Sequence, residues 1–150
     1  MIKIICIGKI KEKFYRDALD EYKTRLGKYT KLEIIELPDY NYDIKKTIKE
    51  ESDNIIKNLN KNEFKILLDV NGIEMDSVTL SHKIENILIS NSNINFIIGG
   101  SYGVSDELKE MCNMRLSFSK LTFPHQLFRI ILLEQIYRSF KIMNHEEYHK

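Results

Sequence analysis

The stretch Ile94-Asn95-Phe96-Ile97-Ile98-Gly99-Gly100-Ser101-Tyr102-Gly103 decides how this chain is to be read. A short run dominated by isoleucine feeds directly into a glycine pair. Such a run, closed by a turn signal, suits a strand buried on both faces, the kind found in parallel sheets. Just downstream, Ser105 can cap a helix whose first turn carries Asp106 and Glu107, acids that suit the positive end of a helix dipole. Strand, glycine loop and capped helix together form half of a βαβ unit.

The same alternation extends in both directions. Upstream, Ile2–Ile7 reads as a first strand ending at Gly8. Residues Glu12 to Arg25 follow at helical spacing, with Phe14, Tyr15, Ala18, Leu19 and Tyr22 on the apolar side and Gly27 as a stop. Leu32–Leu37 is a second strand closed by Pro38-Asp39. A helix is expected from about Asp43 to Leu59, with Ile44, Ile48, Ile55 and Ile56 as its weak apolar stripe. Phe64–Asp69 is a third strand, Asn71-Gly72 a turn signal, and Ser77–Ser90 a further helix. Downstream, Arg115–Phe118 makes a short fifth strand, and Pro124 opens a helix reaching about Met143. Strands alternating with helices predict one α/β domain over residues 1–150, its mostly parallel sheet flanked by helices.

Composition narrows the class. The 150 residues are 43% hydrophobic and 30% charged, which is ordinary globular usage. No apolar run approaches the roughly 20 residues needed to span a bilayer. The N-terminus reads as a strand and not as a signal peptide, so a cytoplasmic protein with no membrane partner is expected. Cys6 and Cys112 stand far apart, with neither a CxxC nor paired histidines, and read as reduced thiols. The net charge of +1 is unevenly spread: residues 1–32 carry +5, residues 33–110 carry −7 and residues 111–150 carry +3. If the two ends meet in space they make a basic surface. That surface would suit a polyanion such as RNA, or be merely solvated.

The helix from Pro124 to Met143 has a narrow polar stripe of Glu134, Arg138 and Lys141. Leu127, Phe128, Ile130, Ile131, Leu132, Leu133, Ile136, Tyr137 and Phe140 cover most of its remaining circumference. One sheet face needs a single apolar stripe. The surplus points to a second subunit, and a symmetric dimer is the expected form. A helix buried at the centre of the fold is the competing reading.

In open α/β sheets, ligands bind beyond the carboxyl ends of the strands. Three such ends draw attention: Leu68-Asp69, Gly99-Gly100, and the run Phe118-Ser119-Lys120-Leu121-Thr122-Phe123-Pro124-His125. The loop GGSYG matches neither GxGxxG nor a P-loop, so it serves equally as a tight turn or as a cradle for a cofactor. GxSxG and HExxH are missing too, which argues against nucleophilic and metal-dependent chemistry. His125 can cap its helix or act chemically. The tail Asn144-His145-Glu146-Glu147-Tyr148-His149-Lys150 can fray, or it can offer Tyr148 and His149 to a base and a phosphate.

These residues carry a resemblance. Ile97 through Gly103, Leu116 through Gln126, Arg129, Glu134 through Arg138 and the terminal Tyr148-His149-Lys150 closely resemble the RlmH family, ribosomal RNA large subunit methyltransferases of the SPOUT class. Ile7 through Lys13 and Glu21 through Leu26 match as well. Residues Asp39 to Asn62 depart from the pattern and read as a variable surface region.

The resemblance implies a knotted SPOUT fold with a sheet of five to six strands and a C-terminal trefoil knot, in a homodimer. It implies S-adenosylmethionine held by Leu68, by Gly99 with Gly100, and by Phe118, Ser119, Lys120, Leu121, Thr122 and Phe123, with no metal. The substrate it implies is a pseudouridine of 23S rRNA, methylated at N3 within the assembled ribosome. The N3 proton must leave, and His125, Glu134 and His149 are the candidates to accept it. Arg138, Tyr148 and His149 are the expected RNA contacts, the tail of one subunit completing the other's site. The alternative is a non-catalytic module of the same fold that binds S-adenosylmethionine or ribosomes.

Overall fold

In a computed structural model covering residues 1–150, ten elements follow one another in strict alternation. They are β1 (Ile2–Ile7), α1 (Lys13–Leu26), β2 (Leu32–Leu37), α2 (Ile44–Lys57) and β3 (Phe64–Glu74), then α3 (Ser77–Ser90), β4 (Ile94–Ile98), α4 (Asp106–Met111), β5 (Met114–Ser117) and α5 (His125–Met143). The five strands form one sheet in the order β2-β1-β4-β3-β5, and every neighbouring pair is parallel. The expected α/β architecture is therefore the one observed.

Burial explains the order. All six residues of β1 and all five of β4 are buried, and these strands lie inside the sheet. Alternate residues point to opposite faces. Ile4, Cys6, Phe96 and Ile98 pack with Leu132, Leu133 and Ile136 of α5 and with Ile84 of α3. Ile5, Ile7, Leu67 and Ile97 pack on the other face, with Ile55 of α2 and Leu108 of α4. No helix is long and apolar enough to cross a membrane.

The two ends of the chain do meet. Lys11 N donates to Gln126 Oε1 at 2.9 Å, Tyr29 OH donates to Glu146 Oε1 at 2.8 Å, and the Tyr22 and Tyr137 rings stand edge to face. The helix caps act as their residue types dictate. Asp43, Asp76 and Ser105 each accept a hydrogen bond from the amide three residues on.

Three sequence expectations need correction. β3 does not stop at Asp69 but continues to Glu74. Leu68 and Ile73 both pair with Leu116, so residues 69–72 bulge out of the ladder. Asp69 Oδ1 accepts from Asn71 N at 2.9 Å, turning the chain locally. Gly72 then brings the backbones close, since a Cβ there would lie 2.7 Å from the Arg115 carbonyl. The Asn-Gly signal marks a bulge within a strand, not its end. Gly27 does follow α1 directly, as expected of a stop, and it does so at φ −57°, in ordinary helical geometry. Of the expected stripe, Ile55 is buried and Ile56 packs beside it, but Ile44 is 58% exposed and the buried face also takes in Thr47, Glu51 and Ser52, so the side facing the core is more polar than expected. Finally, residues 39–62 are not merely surface, because they brace the glycine loop described next.

Candidate active site

At the carboxyl end of the sheet the β3 bulge and the turns after β4 and β5 surround one cavity of about 410 Å³. Its wall takes in Leu67–Asn71 from the β3 bulge, Ile98–Val104 after β4, and Phe118, Ser119, Leu121, Thr122 and Phe123 after β5. His125 and Phe128 of α5 close one side. A drug-sized ligand fits such a volume. The lining combines apolar walls with exposed backbone, a surface that can hold a flat heterocycle by its edge and its faces.

The glycine loop turns tightly. Gly103 N donates to Gly100 O at 3.0 Å, and Gly103 itself takes φ +86°, the left-handed region that favours glycine. Gly99 and Gly100 keep negative φ. What crowds these two positions is packing: a Cβ on Gly99 would sit 2.5 Å from Val104 Cγ1, and one on Gly100 would have to displace the Glu51 carboxylate.

A second cavity of about 450 Å³ opens on the α3/α5 face, lined by Met75 to Val78, Ile131, Gln135 and His149 among others. Leu116, Phe118 and Phe123 line both cavities, so the segment after β5 is their common wall. Phe128 steadies that wall, meeting Phe118 edge to face and stacking on Phe123.

Of the residues singled out from the sequence, Leu68, Gly99, Gly100, Phe118, Ser119, Leu121, Thr122, Phe123 and His125 surround the first cavity. Lys120 does not; it is exposed outside the lining. Glu134, Arg138, Tyr148 and His149 assemble elsewhere, as one network on α5 and the tail. Glu134 Oε1 accepts from Arg138 Nη2 at 2.7 Å, Arg138 Nε at 3.1 Å and Tyr148 OH at 3.1 Å, while Oε2 accepts from Gln135 Nε2 at 2.8 Å. The Arg138 guanidinium lies 4.7 Å from the centre of the Tyr148 ring and 3.2 Å from His149 Nδ1. The tail is therefore folded back against the helix.

Protonation follows from these contacts. Burial, with the Arg129 charge adding to it, pushes His125 below the ordinary histidine range, so the ring is neutral at neutral pH. A guanidinium can only donate, so His149 Nδ1 must accept and its proton sits on Nε2.

Two sets of contacts escape the sequence, although Arg129 itself is among the residues that carry the resemblance. Arg129, 1% exposed, donates to Glu36 Oε2 at 2.8 Å, Ile7 O at 2.8 Å and Gly8 O at 2.7 Å, tying α5 to the end of β1. Glu51 and Ser52 of α2 support the glycine loop from outside the cavity. No local pattern reveals such pairs, because their partners lie far along the chain.

The model of the predicted SPOUT methyltransferase family matches residues 1–149. Ribosomal RNA large subunit methyltransferase H of Clostridium botulinum is 50% identical over 157 aligned positions, covering 99% of each chain. The proteins of the same name from Caldicellulosiruptor bescii and Malacoplasma penetrans are 46% and 45% identical, covering all of each chain and 99% of each chain respectively. With the cavity formed by the β3 bulge and the ends of β4 and β5 in a parallel sheet, and likeness running from end to end, the chain belongs to the SPOUT methyltransferases and, among them, to the RlmH family of ribosomal RNA methyltransferases.

Proposed function

We propose that this chain transfers a methyl group from S-adenosylmethionine to N3 of a pseudouridine in 23S rRNA, acting as a homodimer on the assembled ribosome. The observation that carries the reading is the convergence of the turns after Leu68, Ile98 and Ser117 on a single cavity of suitable size. S-adenosylmethionine, when bound, supplies an electrophilic methyl on a sulfonium sulfur. The protein's task is then alignment and removal of one proton.

Leu68, the backbone of Gly99 through Gly103, and Phe118, Ser119, Leu121, Thr122 and Phe123 would hold the donor, with Lys120 outside the contact. Among the three candidate proton acceptors, His125 fits the role. It faces the cavity and is kept neutral by burial. Glu134 is already engaged by three donors on one oxygen and one on the other. His149 has its accepting nitrogen turned to Arg138, which leaves Nε2–H free to donate to RNA. Arg138, Tyr148 and His149 would hold the nucleotide, by charge, stacking and hydrogen bonding.

Half-buried Leu127, Ile130 and Ile131 on α5 give the apolar surface for the dimer, and the second cavity lies beside it. The same reading gives the chain its class's trefoil knot, with residues 118–124 leading from β5 into α5.

The decisive experiment incubates the purified protein with labelled donor and ribosomes lacking the modification, then maps the label. Label at one pseudouridine of 23S rRNA is expected. Label in 16S rRNA or in protein would overturn the substrate, and donor binding without transfer would reduce the chain to a binding module.

A further inference from the structure

The two glycines after β4 are kept bare by something other than a ligand. The space beside Gly100, where a side chain would begin, is filled by the carboxylate of Glu51. Glu51 is 4% exposed, accepts one hydrogen bond, from Tyr40 N at 3.2 Å, and forms no ion pair. A buried carboxylate so thinly compensated is costly. Burial raises its pKa, the Tyr40 amide opposes this, and the nearby Asp39 charge adds to the rise. The next residue, Ser52, is wholly buried, and its Oγ accepts from Ser105 N at 2.9 Å. Consecutive residues of α2 therefore meet the loop twice, once at its second glycine and once where it enters α4.

We propose that Glu51 and Ser52 are positioning residues for the methyl-donor site: Ser52 pins the exit of the glycine loop, and the Glu51 carboxylate, seated against Gly100, fixes the path of residues 100–103 along the cavity wall. Neither residue lines the cavity. Both act through backbone that does. The inference rests on the reading of that cavity as the donor site, and it gives α2 a part in binding that its sequence does not advertise.

Calorimetric titration of the purified full-length protein with S-adenosylmethionine tests it, through a double-mutant cycle between positions 51 and 100. Gly100→Ala drives a methyl group into the carboxylate and is expected to weaken donor binding about 100-fold. Glu51→Ala, by loosening the loop, is expected to weaken it about tenfold, with kcat at saturating donor within about twofold of the parent. Combining the two changes should bind at least about tenfold more tightly than Gly100→Ala alone, because the obstruction is gone. Removal of Glu51 thus harms one background and helps the other, a reversal that general destabilisation does not produce. A double variant as weak as Gly100→Ala, or an unchanged donor Kd in Glu51→Ala, overturns the proposal. Should Glu51→Ala fail to fold, Glu51→Asp, which draws the carboxylate back by one methylene, must give the same reversal in the Gly100→Ala background. A parent protein that binds no donor would instead defeat the reading of the site.

Discussion

Helix α5 carries two arginine–glutamate pairs, nine residues apart, with opposite surroundings. The Arg129 side chain is 2% exposed and spends its Nη groups on Glu36 and on the carbonyls of Ile7 and Gly8, leaving Nε unpaired. The Arg138 side chain is 25% exposed, and its partners are Glu134 on the same helix and two residues of the terminal tail. Arg129 grips backbone, which no ligand can replace without unfolding the loop after β1. Arg138 grips side chains at the chain's end, which an incoming nucleotide can displace. Burial and the kind of partner separate the scaffold from the working surface here, and residue type does not.

The sharpest way to break this comparison is to truncate each arginine. Arg129→Ala leaves the Ile7 and Gly8 carbonyls without this donor and Glu36 with the Ile10 amide alone, and three hydrogen bonds from a buried charged donor together contribute about 3–5 kcal/mol. In a chain of this size that lowers Tm by roughly 10 °C, to be read by calorimetry or by circular dichroism. Arg138→Ala should shift Tm by less than about 3 °C, because a half-exposed pair contributes about 1 kcal/mol or less. Its methylation of ribosomes, measured as kcat/KM, should fall about 10- to 100-fold. If both variants lose stability equally, or if Arg138→Ala keeps full activity, the division between the two pairs fails.

How far the sequence revealed each pair follows from the range of its contacts. Glu134 and Arg138 stand four apart and share a helix face, so spacing alone predicts their contact. Arg129 meets Glu36 across 93 residues of chain, a distance at which periodicity is silent. The same limit explains the rest. Strands β1 and β4, the Ser105 cap and the span of α5 are local patterns and were legible. The extension of β3 through Gly72 depends on the Arg115 backbone lying opposite. The polar part of the inward face of α2 depends on Gly100 and Ser105, and the isoleucine stripe read there finds Ile55 but not Thr47, Glu51 and Ser52, which are buried beside it. Leu68, the glycine loop and His125 could be nominated singly, by strand ends and by resemblance. Only the fold shows that they share one cavity and that Lys120 stands outside it.

The buried arginine also touches chemistry, which a titration can expose. Burial lowers the His125 pKa first, and the Arg129 charge lowers it further. Protonation is thus disfavoured in the folded state, so stability rises with pH between the depressed value and about 6.5, the ordinary value that holds in the unfolded chain. If His125 accepts the N3 proton, kcat/KM should climb through that same depressed value and level off by about pH 7. Proton NMR of the His125 ring should show its midpoint moving partway toward the ordinary value in Arg129→Met, at a temperature where that variant is folded. The shift should be partial, because burial remains. A midpoint that does not move would confine Arg129 wholly to scaffolding and strengthen the contrast with Arg138.

The smallest effect tests whether the Arg138 network is held together by charge or by its neutral member. Tyr148 OH is one of three donors to Glu134 Oε1, and its ring also lies 5.0 Å from that of Tyr137. Tyr148→Phe removes the hydroxyl and keeps the tilted contact between the rings. Two guanidinium hydrogen bonds remain on that oxygen, so no buried acceptor is orphaned and stability should change by less than about 1 kcal/mol. If the ring's role is to lie against a base, the KM for ribosomes should rise no more than about threefold, whereas Tyr148→Ala should raise it by about tenfold or more, within the 1–3 kcal/mol that base stacking on an aromatic contributes. Equal losses in the two variants would move the role of Tyr148 from its ring to its hydroxyl. The tail would then be an ordered extension of the Glu134–Arg138 pair, and the working half of the comparison would be built much more like the scaffolding half than its exposure suggests.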